Sequence, residues 1–282
     1  MSTQATLEAI SSATEAIIGA PCQWCHIPNG TVTLEDASGP NYDFMTDKGT
    51  RGGAYAVAVF AMAKYPVTNA QYQRFIDAPN GQATHQWWDY SAEAARWWQD
   101  RPKPHPTAFA GTNLPRTRVS WFDSMAFCAW LSCELAANTA IETAMGFDIH
   151  DVTTWSVRLP TEQEWQRAAV GDSGWPYPWG DELDPSHANY GDLVGRPTPV
   201  DHYPSGQSPY GVMDMVGNLA EWCLTAWGKD SINVNGYGYR AIRGSAWNVA
   251  TPEYLRAIDR NAWSPRGRLN DVGFRCAYYG RI

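Results

Sequence analysis

The sequence is poor in charge and has no basic stripe. Charged residues make up 18% of the 282, no run of lysine or arginine occurs, and the net charge is −8. Nucleic-acid binding draws its affinity from phosphate neutralisation, so no nucleic-acid partner is expected. No apolar stretch reaches the roughly 18 residues that a membrane span needs, so no membrane partner is expected either. Met1 to Ala20 lacks a basic n-region, and Glu8 and Glu15 interrupt its apolar residues. It does not read as a secretory leader, and the expected address is cytoplasmic. The six cysteines are scattered, at Cys22, Cys25, Cys128, Cys133, Cys223 and Cys276. They read as free thiols of a reducing compartment. Cys22, Cys25 and His26 have the spacing of haem attachment, but that chemistry needs export and marked axial ligands. No second cysteine pair stands at zinc spacing. Neither haem nor zinc is expected.

Aromatic residues are plentiful. The 15 Trp, 14 Tyr and 8 Phe, with 24 Gly and 19 Pro, describe a loop-rich fold stapled by rings. Leu7, Ile10, Ala13, Ile17 and Ile18 fall at helical spacing and predict an amphipathic N-terminal helix over residues 1–21. The spacing predicts strands over Cys22–Thr33 and Ala54–Ala63. Thr68 or Asn69 caps a helix carrying Tyr72, Phe75 and Ile76. Residues 78–113 read as a Pro- and Trp-rich insertion. Ser120 and Asp123 form a capping-box variant for a helix to about Ala137, and Thr161 with Glu164 caps another through Val170. Beyond Gly171 only turns and short strands are expected, with Asn235-Gly236 as a hairpin turn before the strand Tyr239–Arg243. Residues 22–282 read as one domain.

Seven segments then form an ordered series: Lys64-Tyr65-Pro66-Val67-Thr68-Asn69, Val119-Ser120-Trp121, Arg158 to Trp165, Tyr177-Pro178-Trp179-Gly180, Tyr210 to Trp222, Arg243-Gly244-Ser245 and Val272 to Cys276. The series resembles the formylglycine-generating enzyme (sulfatase-modifying factor) family. The resemblance implies an α+β, C-type-lectin-like fold with short helices and small antiparallel sheets. In the catalytic branch two copper-binding cysteines follow the Arg-Gly-Gly-Ser-like motif. Arg243 to Arg256 contains none, and thiolate is the soft ligand that copper(I) requires. No copper is therefore expected. A second branch, the iron-dependent sulfoxide synthases, takes iron from a helical histidine cluster. Here no two of the six histidines stand at i, i+3 or i+4.

The skeleton Arg243-Gly244, Trp247-Asn248, Leu255-Arg256-Ala257, Arg260-Asn261, Pro265, Arg268 and Val272 to Arg275 is similar to that of bacterial variable proteins of diversity-generating retroelements. That implies a non-catalytic protein that binds a protein or other macromolecule through its C-terminal segment. The alternative is an enzyme of the formylglycine-generating type with an unrecognised metal site. On the first reading Arg256, Arg260, Arg268, Phe274 and Arg275 anchor the backbone. Trp247, Asn248, Val249, Tyr254, Ile258, Asp259, Ala262, Trp263, Ser264, Gly267, Leu269, Asn270 and Asp271 then form one exposed ligand-binding patch. The resemblance also implies a structural Ca²⁺ held by Asp214 and Glu221 oxygens with the carbonyls of Gly217 and Leu219, hard ligands from one tight loop. Asn189, Tyr190 and Asp192 faintly match a second calcium loop.

Overall fold

The computed structural model describes residues 2–37, 52–137, 148–229, 231–280 and 282. Helix α1 (Thr3–Ile18) starts at the N-cap Ser2 and buries Leu7, Ile10, Thr14 and Ile18. Thr14 is the polar member of that stripe. Its hydroxyl accepts a hydrogen bond from Trp24 Nε1 at 3.0 Å and donates to Ile10 O. The helix therefore shares the main core instead of standing apart from it.

Each of the two long strands expected near the N-terminus is in fact a pair. β1 (Trp24–Ile27) and β2 (Gly30–Leu34) are separated at Pro28-Asn29, where proline has no N–H for a ladder. β3 (Gly53–Val57) and β4 (Phe60–Ala63) part at Ala58-Val59. β3 alternates between exposed and covered residues, whereas β4 is buried on both faces. Two environments require two strands.

Helix α2 (Asn69–Asp77) has a complete capping box of Thr68 and Gln71. The insertion is ordered. It contains a 3₁₀ turn at His85–Trp88 and α3 (Ala92–Asp100). Trp87, Trp88 and Trp97 are buried. Trp88 stacks on Phe75 of α2. Helix α4 (Trp121–Ala136) is capped by Ser120 and Asp123, and only Cys133, Glu134 and Ala136 escape full burial. A helix apolar on nearly every side belongs at the centre of a domain. Two of its neighbours lock its N-terminal end: Trp121 Nε1 donates to Cys223 O, and Trp222 Nε1 donates to Val119 O.

β5 (Val157–Arg158) leads into α5 (Glu162–Val170), whose capping box is Thr161 and Glu164. β6 (Ala220–Ala226), β7 (Arg240–Arg243), β8 (Asn261–Trp263), β9 (Val272–Gly273) and β10 (Ala277–Tyr278) complete the strands. One sheet has the order β1-β4-β10-β5, with Cys25, Met62, Ala277 and Arg158 in one row. β2 and β3 form a two-stranded ladder. The third sheet is β8-β7-β6-β9. The connection expected to be a tight hairpin at Asn235-Gly236 is wider. It runs between Ala226 and Arg240, and Trp227 N donating to Tyr239 O closes its base. Residues 244–271 leave this sheet at the end of β7, return to its edge as β8 beside β7, and then cross to β9 on the other side of β6. Among the described residues no helix is long and apolar enough to cross a membrane.

Candidate functional site

The segment between β7 and β9 is framed by buried ion pairs. Glu162, at the first position of α5, accepts from Arg260 Nε at 2.9 Å and Nη2 at 2.7 Å, and from Arg243 Nη1 at 3.3 Å. Asp123, which caps α4, accepts from Arg268 Nε at 2.9 Å and from Trp97 Nε1 at 3.1 Å. Glu221 accepts from Arg275 Nε at 2.7 Å and Nη2 at 2.6 Å. Arginine suits such positions because its planar fork satisfies several acceptors at once. Phe274 lies in the main core. Arg256 differs from the other expected anchors. It reaches Glu35 at 3.2 Å, with Arg256 half-buried and Glu35 exposed, and such a solvent-facing pair holds little. Arg243, not counted among the expected anchors, is one.

Asn248, Tyr254, Trp263 and Asn270 are exposed, Tyr254 at 44% and Trp263 at 38%. Trp247, Val249, Ile258, Asp259, Ser264, Gly267, Leu269 and Asp271 are half-buried. Asn248 Nδ2 donates to Asp271 Oδ2 at 3.1 Å and ties the two ends of the segment together. Ala262 corrects the expectation. It is 2% exposed and packs in the second core, opposite Ala241. Strand parity is the reason: in β8, Asn261 and Trp263 face out, so Ala262 faces in. The expectation had assigned no strand to residues 261–263.

Several contributors lie outside the segment. Gly191 N donates to Val249 O at 2.8 Å, and Asp192 N to Trp247 O at 2.7 Å. This loop exposes Leu193 at 65% and Val194 at 47%. Phe109, at the end of the insertion, meets Trp247 edge-on at 5.9 Å. Arg118 donates to Leu269 O through its backbone and to Asn270 Oδ1 through Nε. The apolar Leu193-Val194 pair between Gly191 and Gly195 was the one signal in the sequence that could have marked the loop.

Five described non-glycine residues have left-handed φ: Arg118, Asp192, Asp214, Asn218 and Ser245. All adjoin this segment or the loop beneath it. Arg118 bonds Leu269, Asp192 and Asn218 bond Trp247, Ser245 opens the segment, and Asp214 bonds Asn218. Such conformations cost on the order of 1 kcal/mol or more each and gather at working sites. Within the segment a cavity of about 100 Å³ is lined by Ile242, Ser245, Val249, Tyr254, Asp259 and Asn261, with Ala220, Arg243 and Gly244.

The chemistry on offer is apolar surface, amides, hydroxyls and a few carboxylates. No cysteine or histidine lies between Arg243 and Arg275. Cys223 is buried in β6, and burial pushes its thiol well above the ordinary value. That thiol is no ready metal ligand.

The loop from Asp214 to Glu221 is organised by a guanidinium. Besides Glu221, Arg275 Nη2 donates to Met213 O at 2.7 Å and to Asp214 O at 3.3 Å. Trp165 Nε1 adds a further bond to Glu221. Both Glu221 oxygens are thus engaged. Asp214 Oδ2 accepts from Asn218 Nδ2 at 2.8 Å, and burial pushes this carboxyl up to about 7. Gly217 is confined to its place: a Cβ there would lie 2.3 Å from Asn189 O, at φ +72°. Of the expected calcium ligands, Glu221 is already committed to Arg275, and Asp214 accepts from Asn218. Among the described residues no group of three or more His, Cys, Asp or Glu side chains is placed to hold a metal. At the second loop, Asn189 Nδ2 donates to Arg196 O, and Asp192 supports Trp247.

The fold, the ordered motifs and the framed segment define a sulfatase-modifying-factor domain, and the chain belongs to that family: the sulfatase-modifying factor enzyme 1-like domain matches residues 21–279. Hercynine oxygenase of Mycobacterium tuberculosis (strain ATCC 25618 / H37Rv) is 31% identical over 79% of this chain and 53% of the relative. The chain thus spans about half the length of that protein. Inactive C-alpha-formylglycine-generating enzyme 2 of Mus musculus is 27% identical, over 89% of this chain and 84% of the relative. Among solved structures, Treponema denticola variable protein 1 superposes with a TM-score of 0.62 at 20% identity, covering 93% of this chain and 96% of its own. PvdO from Pseudomonas aeruginosa gives 0.60 at 20% identity, over 91% and 94%. At these identities the structures establish the fold alone.

Proposed function

We propose that this chain is a ligand-binding member of the family that presents residues 244–271 to a macromolecular partner, in the manner of the variable proteins of diversity-generating retroelements. One observation carries the reading. The backbone of the segment hangs on Arg243, Arg260, Arg268 and Arg275, each bonded to a buried carboxylate, while Tyr254 and Trp263 stand exposed between them and Asn248 and Asn270 bond only at the surface. Side chains held apart from the frame can change at little cost to the fold. The test is sequencing of the coding stretch for 244–271 and of its flanking DNA. A reverse transcriptase gene beside a near-copy that differs only at adenines supports the reading; an invariant stretch with no such copy overturns it.

A second reading, an enzyme, is the one the curated relatives favour, because hercynine oxygenases match at 31% identity. Under it this chain carries a metal site that its sequence motifs do not reveal. Hercynine turnover by the purified chain with iron(II), lost on changing Tyr254 and Asp259, would support this alternative. A calcium ion at Asp214 and the carbonyls of Gly217 and Leu219 completes the proposal as a structural element, not as part of any reaction.

A further inference from the structure

Beside the C-terminal half of the segment, cations ride on a row of rings. Tyr237 meets Phe122 edge-on at 6.1 Å, and Phe122 packs on Trp97 at 5.7 Å. Arg266 lies over Tyr237, 3.7 Å from the ring centre. Arg101 and Arg268 both lie over Trp97, at 4.3 and 5.0 Å. Of the three, only Arg268 is neutralised by a buried carboxylate, that of Asp123. Arg266 is exposed and, among the described residues, pairs with no carboxylate. Arg101 meets Asp100 at 3.8 Å with both side chains exposed, and a loose surface pair holds little. Trp263 stands at the same edge. Its exposed ring rests on Gly267, between Arg266 and Arg268, where a Cβ would lie 2.5 Å from it. A ring beneath a guanidinium occupies its face and leaves the in-plane N–H groups open to an acceptor. Such a cation is positioned before a partner arrives, so binding costs it little freedom. In a chain of net charge −8, this edge is a local reversal of sign.

We infer that Arg266 and Arg101, with the Trp263 ring beside them, receive an acidic segment of a protein partner. Each guanidinium takes a carboxylate through paired, charge-assisted hydrogen bonds, and Trp263 packs an aliphatic stem of the same segment. A nucleic acid would bring phosphates over a longer track, against the net charge of the chain, whereas a short acidic segment brings charge only where the arginines stand. The inference rests on the binding reading above. It names the chemistry of the partner and extends the surface to Arg101, in the insertion.

The test is a titration of the isotope-labelled full chain with the peptide acetyl-Glu-Glu-Leu-Glu-Glu-amide at low salt, followed by NMR. The matching glutamine peptide and a thymidine oligonucleotide serve as controls. Saturable shifts of the Trp263 indole and the Gly267 amide are expected with the glutamate peptide and not with the glutamine peptide. They should fade at high salt. Arg266→Gln and Arg101→Gln together change exposed side chains, so the melting temperature should hold while the peptide binds about tenfold more weakly or worse. Arg96→Gln, an exposed cation away from the row, should leave binding within about twofold. No saturable shift with the glutamate peptide, equal binding of the glutamine peptide, an unweakened double variant, or tighter binding of the oligonucleotide overturns the inference. None of these outcomes alters the sequencing test of the wider reading, so the two fail separately.

Discussion

Arg275 grips Glu221 with two parallel hydrogen bonds, at 2.7 and 2.6 Å, and both side chains are buried. The pair joins β6 to the strand end that follows β9, and the same guanidinium collects the carbonyls of Met213 and Asp214. It stands at the centre of the frame.

Removing one partner of a buried pair leaves the other charge stranded, at a cost of about 3–5 kcal/mol. Arg275→Met and Glu221→Gln should each destabilise by that order in urea denaturation. The double variant should lose clearly less than the sum. Additive losses would show that the two groups act independently.

Asp214 gives a pH and calcium prediction. Its folded value, about 7, lies above its ordinary 3.8. Between these values the native state keeps a proton that the unfolded chain has released. Its contribution to stability is therefore full below about 3.8 and is lost as pH rises through about 7. The difference in stability between wild type and Asp214→Asn, measured in EDTA from pH 4 to 8, should follow that decline. Calcium binds the ionised form, so added Ca²⁺ should raise the melting temperature at pH 8 more than at pH 5. An unchanged melting temperature at pH 8 removes the calcium proposal.

Asn248, Tyr254, Trp263 and Asn270 changed together to alanine should leave stability within about 1 kcal/mol, as surface changes do. Ala262→Asp, one residue away from Trp263, should unfold the domain, because it buries a charge in the second core. If the fourfold variant collapses, the patch is structural.

Gly217→Ala combines a left-handed φ with a Cβ placed 2.3 Å from the Asn189 carbonyl. A loss of at least about 1–3 kcal/mol is expected by chemical denaturation. A loss below 0.5 kcal/mol would mean that the loop shifts freely.

Much of this architecture was legible in local sequence. The capping boxes at Ser120 and Thr161 are formed as spaced, because N-cap and third-residue side chains act within one turn. The stripe of α1 also follows from nearby residues, whereas the anchors Arg260, Arg268 and Arg275 rest on family resemblance, because their carboxylates stand 98, 145 and 54 residues away. What failed needed partners distant in sequence. Nothing within Ala54–Ala63 shows that its halves pair with different strands. Ala262 faces inward only because β8 pairs with β7. Arg118, Phe109 and the 190–196 loop reach the segment across more than 50 residues, so no spacing rule could join them to it. Glu221 carried a misleading cue: the loop motif suits a cation, and the cation it meets is Arg275.

The position of β10 between β4 and β5 has a consequence for synthesis. The first sheet stays open until residues 277–278 have left the ribosome, after every residue of 244–271 has been made. Pairing across more than 200 residues is slow to close. A segment that cannot fold back through β9 keeps β10 from docking and leaves the edges of β4 and β5 bare. Unpaired edges invite proteases and chaperones. The topology therefore makes closure of the first sheet wait on the folding of the segment that precedes it.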